Sequence, residues 1–126
     1  MHVREVNSAK VSGIGGFFIR ARNPGKMRAW YRDVLGIGRS DDVVWQQAPG
    51  PTIFAPYAER STYFGRQDQS FMLNFRVDNL AAMIEELTAT GIHVETRPGE
   101  WDNDTGRFAR IHDPEGNPIE LWEPAA

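Results

Sequence analysis

Two stretches of the chain repeat the same pattern of side chains, and this repeat constrains the fold more than any other feature. Residues 16–23 read GFFIRARN and residues 72–79 read MLNFRVDN, with apolar side chains at alternate positions and an Arg and an Asn at matching places. Each stretch is followed by helix-like spacing of apolar residues that ends in Gly-Ile, at residues 36–37 and 91–92. Alternation is typical of a strand with one buried face, whereas the later spacing indicates a helix. The chain therefore reads as two similar halves, and a cleft between such halves favours ligand binding.

The pattern predicts the order strand, helix, strand, strand, strand in each half, and hence an α+β fold of two βαβββ modules. Asn23 suits the N-cap of the first helix, which Gly36 would end; Asp78 or Asn79 would cap the second, which Gly91 would end. The predicted strands are residues 15–22, 42–48, 52–57 and 63–64, then 71–77, 93–97, 107–112 and 118–123, with a polar loop at 98–106 and a hairpin loop at 113–117.

Composition limits the classes of protein that remain. A chain of 126 residues is expected to form a single domain, with residues 1–12 as a loose arm. The formal net charge of -3 argues against a general nucleic-acid binder, and the lack of cysteine removes disulfides and thiolate metal sites. No stretch has the apolar length of a membrane span, and residues 1–11 lack the apolar run of a signal peptide. We therefore expect a cytoplasmic protein with neither a nucleic-acid nor a membrane partner.

Three motifs give the sequence a family resemblance. They are WYRDVLG at residues 30–36, NFRVDNL at 74–80 and DPEGNPIELW at 113–122, of which the last is the most specific. In this order they resemble the vicinal oxygen chelate superfamily, which includes glyoxalase I, bleomycin-resistance proteins and extradiol dioxygenases. The resemblance implies modules at about residues 13–66 and 70–124. It also implies strands that curl into an open mixed sheet, with the ligand on the concave side and the helices on the convex side, and a homodimer.

Side-chain alternation assigns the two faces of the predicted sheet. The continuous apolar positions should face the helices: Phe17, Ile19, Ala21, Leu73, Phe75, Val77, Ile111, Ile119 and Leu121. The opposite positions should face the cleft: Gly16, Phe18, Arg20, Met72, Asn74, Arg76, Phe108, Arg110, His112, Glu120 and Trp122. With a loop at residues 113–117, Arg110 should lie opposite Glu120, close enough for an ion pair.

In metal-using members of the superfamily, four strand positions offer ligands to a divalent cation. The resemblance places these positions at Gly16, Phe54, Met72 and Glu120. Glu120 alone carries a suitable donor, because glycine and phenylalanine have none and a thioether matches hard divalent cations poorly. One carboxylate does not hold a catalytic ion, which takes about three protein ligands. We therefore expect no metal and no other cofactor in the cleft.

For each polar residue of the cleft face, the sequence allows a functional role or a purely structural one. Glu120 could be a base or bind a ligand, or only pair with Arg110; His112 could transfer protons or lie at a solvated rim. Arg20 and Arg76 could hold an anionic group, or form salt bridges at the sheet surface. The candidate catalytic residues are thus Glu120 and His112, and the candidate ligand-binding residues are Arg20, Arg76, Asn74, Arg110 and an apolar wall of Phe18, Phe54, Met72, Phe108 and Trp122, with Trp45 beside it. The wall residues could instead be additional core.

These patterns favour a protein that binds a small amphiphilic organic ligand, which could be anionic, without a metal. One alternative is a metal-dependent lyase, isomerase or dioxygenase of the same superfamily. Another is a structural module whose cleft is closed by side chains. The sequence leaves open whether a reaction is catalysed; an enzyme of this kind would have glyoxalase-like lyase or isomerase activity. Fold alone does not decide among these functions.

Overall fold

A computed structural model describes residues 9–38 and 44–126, in which three strands form a mixed sheet. In chain order the elements are α1 (Pro24–Leu35), β1 (Leu73–Arg76), α2 (Leu80–Ala89), α3 (Pro98–Trp101), β2 (Gly106–His112) and β3 (Pro118–Pro124). Strand β3 is central and pairs in parallel with β1 and antiparallel with β2. The predicted α+β class is confirmed. Within the described ranges, no helix is long and apolar enough to cross a membrane.

The two long helices begin where the sequence predicts, because an asparagine caps each of them. The side chain of Asn23 accepts a hydrogen bond from the backbone N–H of Lys26 at 3.1 Å, and that of Asn79 accepts one from Ala82 at 3.0 Å. These bonds satisfy N–H groups that have no partner inside the helix. Helix α1 ends at Gly36, whose φ of 77° is left-handed and therefore suits glycine.

The core lies between the two long helices and one face of the sheet. Four side chains of the β2–β3 hairpin are fully buried: Ala109, Ile111, Ile119 and Leu121. They pack with Met27 and Tyr31 of α1 and with Leu80 and Leu87 of α2. The predicted core positions of β1 pack against the same cluster, as do Ile19 and Ala21. The assignment of the apolar face to the helices is thus confirmed for these residues, and Phe17 lies against Phe75 with ring centres 5.6 Å apart.

The first half of the chain departs from the predicted strands. Residues 15–22, 52–57 and 63–64 form no strand, and every residue from 44 to 60 is exposed. The strand predicted at 42–48 lies partly outside the described residues, and its described part forms no strand either. Alternation predicts which face a strand would bury, but a strand also needs a backbone partner, and these segments have none within the described chain. The two βαβββ modules are therefore not confirmed.

Two smaller corrections concern the second half. The strand predicted at residues 93–97 is reduced to a single bridge, in which Glu95 and Arg110 exchange backbone hydrogen bonds of 2.9 and 2.8 Å. The polar loop predicted at residues 98–106 contains the short helix α3, which Pro98 begins. Proline favours the first helical position, because its φ is already helical and its missing N–H is not needed there.

The loop at residues 113–117 is fixed by the buried carboxylate of Asp113. One of its oxygens accepts the backbone N–H groups of Glu115 at 2.9 Å and Asn117 at 3.0 Å. The other accepts the side-chain amide of Asn117 and the hydroxyl of Tyr31, both at 2.7 Å. Burial, together with the neighbouring Asp113 carboxylate, raises the pKa of Tyr31 far above its ordinary value. The Asp113 carboxylate therefore joins the hairpin loop to helix α1.

Replacing Asp113 with alanine should lower the free energy of unfolding by about 3 kcal/mol, because buried donors of the loop and of Tyr31 lose their acceptor. Urea-induced unfolding measures this change. Asp104→Ala is the matched control, since Asp104 is exposed, and it should alter stability by less than about 0.5 kcal/mol. Equal effects of the two substitutions would contradict the role given to Asp113.

Candidate functional site

One row of polar side chains crosses all three strands on the face opposite the core. Glu120 in the middle of β3 is paired with Asn74 of β1 and with Arg110 of β2. Because its sequence neighbours Ile119 and Leu121 point into the core, alternation turns Glu120 to the other face. The predicted placement of Arg110 opposite Glu120 is confirmed. The site is therefore positioned by the register of the sheet.

Glu120 is a buried carboxylate that two neutral groups satisfy. It is only 9% exposed. Its Oε1 accepts the side-chain amide of Asn74 at 2.7 Å, and its Oε2 accepts a short hydrogen bond from the hydroxyl of Tyr63. Burial of the phenol, the hydrogen bond to Glu120 and the charge of that carboxylate raise the pKa of Tyr63 well above its ordinary value. Tyr63 therefore keeps its proton and acts as a donor at neutral pH.

Arg110 lies against aromatic rings instead of pairing with the carboxylate. Its Cζ lies 4.5 Å from the centre of the Tyr63 ring and 5.1 Å from that of Trp101. The Tyr63 and Trp101 rings meet edge to face with centres 6.1 Å apart. The ion pair expected between Arg110 and Glu120 is absent from the salt bridges of the described residues, so that expectation was wrong. Tyr63 provides the reason, since its hydroxyl binds Glu120 while its ring lies against the guanidinium.

Phe108 and Trp122 form the next row on the same face. They are directly opposite each other in the β2–β3 pairing, and their rings are parallel with centres 6.2 Å apart. The indole N–H of Trp122 donates to the backbone oxygen of Thr105 at 3.0 Å. Both residues are buried. The structure thus brings two of the predicted wall residues beside the polar row.

Arg76 is on this face by register, but its guanidinium is occupied. It donates to the backbone oxygens of Pro51 at 2.6 Å and Ala48 at 2.7 Å. A Cβ at position 50 would lie 2.7 Å from Nε of Arg76, so any larger residue there would require the Arg76 side chain to shift. In the described chain Arg76 therefore holds the turn at residues 48–51.

The remaining wall residues are not gathered around Glu120. Phe18 and Phe54 are 95% and 91% exposed. Trp45 packs against the ring of Phe75, which belongs to the core side. Met72 is half-buried just before β1, and Arg20 is exposed. Trp45 is therefore on the core side, whereas the ligand-binding roles of Phe18, Phe54, Met72 and Arg20 stay predictions. The first half of the chain does not form the wall by itself.

His112 ends strand β2 at an exposed position. Partial desolvation of its ring by neighbouring groups, followed by the charge of Arg110, lowers the pKa of His112 below its ordinary value of 6.5. The imidazole is therefore mostly neutral at neutral pH and can accept a proton. A catalytic role for His112 stays a prediction.

The described residues do not form a donor set for a divalent cation. In that part of the chain, no three Asp, Glu or His residues are grouped so that they could hold a metal ion. Both oxygens of Glu120 already accept hydrogen bonds. Of the four positions at which the family resemblance predicts metal ligands, Gly16, Phe54 and Met72 carry no suitable donor, so a ligand set of that type does not fit this site.

Comparison with known protein families now identifies the chain. The family model described as Glyoxalase-like domain matches residues 16–122. The chain belongs to the glyoxalase-like domain family. This membership fits the vicinal oxygen chelate superfamily that the three sequence motifs indicate. Comparison with curated proteins gives no match.

Solved structures support the same fold for this glyoxalase-like domain. TnmS3, an antibiotic binding protein from Streptomyces sp. CB03234, is similar with a TM-score of 0.58 and 22% identity over 91% of this chain and 98% of TnmS3. A protein from the mobile metagenome of V. Pseudocholerae has a TM-score of 0.61 at 19% identity, over 94% of this chain and 98% of its own. An integron cassette protein of V. Cholerae has a TM-score of 0.52 at 17% identity, over 86% of this chain and 100% of its own. At these identities the likeness establishes the fold alone.

Three aromatic residues of the site were not predicted from the sequence. Tyr63 and Trp101 contact Arg110, and the ring of Tyr57 stacks on Tyr63 with centres 5.2 Å apart and planes within 7°. The signal that could have found Trp101 is a large aromatic side chain inside an otherwise polar loop. Tyr63 gave no such signal, because an aromatic residue in a short predicted strand is ordinary.

Replacing Tyr63 with phenylalanine should lower the free energy of unfolding by about 1–3 kcal/mol at pH 7, because the buried Glu120 carboxylate loses a donor while the ring remains. Chemical unfolding with urea measures this difference. Tyr57→Phe is the matched control and should change stability little, since Glu120 keeps both hydrogen bonds. A Tyr63→Phe chain as stable as the Tyr57→Phe chain would refute the contribution of this hydrogen bond.

Alkaline pH gives a second readout of the same variant. In the unfolded chain Tyr63 loses its proton near its ordinary pKa of 10.0, whereas in the folded chain its pKa is higher and it keeps the proton to a higher pH. The corresponding stability is complete below pH 10 and declines as the pH rises further. The stability difference between the wild type and Tyr63→Phe should therefore shrink above pH 10.

Proposed function

We propose that this glyoxalase-like domain binds a small amphiphilic organic molecule at the Glu120 face of the sheet, without help from a metal ion. The observation that carries the proposal is the neighbourhood of Glu120 and Arg110, where two opposite charges that do not pair lie beneath partly exposed aromatic rings. Tyr57 is 48% exposed, and Tyr63, Phe64 and Trp101 are half-buried. Binding sites typically combine such an aromatic surface with a few polar groups that orient the ligand.

The likeness to TnmS3 supports a natural product as the ligand. That protein is described as antibiotic binding, and the two chains share a fold over most of their lengths. Aromatic antibiotics combine flat apolar rings with polar substituents, which is the combination of surfaces around Glu120 and Arg110. Sequestration of such a compound requires no reacting group, so we assign Glu120 and Asn74 to orientation of the ligand. His112 is then the candidate base if the bound compound is also transformed.

We further propose that residues 13–66 and 70–124 are two modules of one domain, completed in a homodimer. The first module exposes large apolar side chains: Val11 just before it, then Ile14, Phe18, Val44, Ile53 and Phe54. Exposed apolar surface of this extent is typical of interfaces, and extended segments without a partner strand can pair with another chain. Phe18 and Phe54 would then reach a cleft that both subunits form.

The lack of cysteine fits a cytoplasmic location.

Ligand binding can be tested with a panel of aromatic antibiotics in a thermal-shift screen, followed by calorimetric titration of each compound that stabilises the chain. The proposal predicts saturable binding that Trp101→Ala weakens by about tenfold or more, because an aromatic side chain at a contact contributes strongly. Trp45→Ala is the matched control and should leave the affinity unchanged, since Trp45 packs on the core side. A panel in which no compound stabilises the chain would instead favour a structural module. Elemental analysis of the purified protein tests the metal-dependent alternative.

Replacing Phe54 with glutamate should shift the chain from dimer to monomer, because a charge replaces an apolar side chain that is 91% exposed in the single chain. Size-exclusion chromatography with light scattering measures the mass. Glu59→Gln, at an exposed position in the same segment, is the control and should leave the mass of the wild type unchanged. A wild-type chain that is monomeric at all concentrations would contradict the assembly.

A further inference from the structure

The guanidinium of Arg110 has two buried N–H donors without an acceptor. These are Nε and Nη2, and neither has a hydrogen-bond partner within the described structure. The two atoms share one edge of the planar group, the edge that donates two parallel hydrogen bonds to a carboxylate. Buried donors are normally satisfied, and an unsatisfied charged donor costs more than a neutral one. The two donors of this edge are therefore available to an acceptor that the described chain does not supply.

The groups around Arg110 limit what that acceptor can be. Glu120 is the carboxylate opposite Arg110, but it accepts from Asn74 and Tyr63 instead. The two oxygens of an incoming carboxylate match the two donors in one plane. The rings of Tyr63 and Trp101 next to the guanidinium favour a flat apolar group attached to that carboxylate.

We propose that Arg110 anchors the carboxylate of a planar aromatic acid through Nε and Nη2. This inference rests on the proposed ligand-binding function and specifies the chemical class of the ligand. Glu120 competes less for the guanidinium, because both oxygens of that carboxylate already accept hydrogen bonds, from Tyr63 and Asn74. The aromatic part of the ligand then lies against the rings that flank Arg110.

A side chain must move to admit the ligand, because both donors are buried. Tyr63 is held by its hydrogen bond to Glu120 and by stacking on Tyr57. Trp101 lies at the end of the four-residue helix α3 and contacts Tyr63, Arg97 and Arg110 through its ring. Ring contacts of this kind are individually weak, so Trp101 is the side chain that shifts, and its ring then packs against the aromatic part of the ligand. Its indole fluorescence should change when the carboxylate binds.

The first test compares acids with neutral analogues on the wild-type chain. The probes are 2-naphthoate and anthracene-9-carboxylate, each with its methyl ester and its carboxamide, titrated by calorimetry. The proposal predicts that each acid binds at least about tenfold more tightly than its ester, since two charge-assisted hydrogen bonds are lost in the ester. 2-Naphthyl phosphate is included because a phosphate also matches this edge of an arginine. Preference for the phosphate over the acid would overturn the assignment to a carboxylate.

The second test removes the geometry of the donors while keeping their charge. Arg110→Lys should reduce the preference for the acid over its ester to about twofold or less, because lysine is a point donor without a planar edge. Arg107→Lys is the matched control, because Arg107 is on the same strand but pairs with Glu123 at 2.8 Å; the preference should remain. If Arg110→Lys does not fold, the Nε–H resonance of Arg110 in the wild type replaces it. That signal should shift and become protected from exchange when 2-naphthoate is added, but not when its ester is added.

The outcomes separate this inference from the proposed function. Esters that bind as tightly as their acids would overturn the role of Arg110 and leave ligand binding intact. The role of Arg110 would also be overturned if the Arg110→Lys chain still preferred the acids over their esters. If neither the acids nor the antibiotic panel bind, both the inference and the proposed function fail.

Discussion

The register between β2 and β3 is the constraint on which the rest of the structure depends. The hairpin loop sets this register, and the loop is held by the four hydrogen bonds that Asp113 accepts. Glu115 of the same loop accepts the backbone N–H groups of Arg22 and Asn23 at 2.7 and 3.0 Å, just before helix α1 begins. One loop therefore positions a helix of the first half and aligns two strands of the second. A register shift of one residue would exchange the core and site faces of one strand relative to the other.

Because β3 is the central strand, it carries the core and the site at once. Ile119 and Leu121 are fully buried beneath the helices, and Glu120 between them points to the opposite face. Burial of the two apolar neighbours fixes the backbone from which the carboxylate projects. Glu123 adds a further tie, since it accepts the backbone N–H of Leu80 at 2.8 Å where α2 begins. A rigid element is a better support for an orienting group than a loop.

The sequence predicted the parts of this protein that local rules decide. Asparagine caps, the glycine at the end of α1 and the alternation of faces along β3 each have a local physical cause, and the structure confirms them. The strands of the first half were not predicted correctly, because a strand requires a partner that alternation cannot name. The opposition of Arg110 and Glu120 was predictable from the hairpin length. The contacts of Tyr63 with both of their functional groups were not predictable, since they depend on where the segment that carries Tyr63 packs.

The contacts of Tyr63 with both Glu120 and Arg110 change what the site can do. If Arg110 and Glu120 formed an ion pair, each charge would satisfy the other and an incoming polar ligand would have to break the pair. Tyr63 instead donates its hydroxyl to the carboxylate and lies with its ring against the guanidinium. An aromatic face attracts a cation without occupying its N–H donors. Arg110 is thereby held in place with its bidentate edge unpaired, even though the chain carries a formal net charge of -3. The proposed anionic ligand would therefore be selected by a local arrangement of donors and not by the overall charge of the protein.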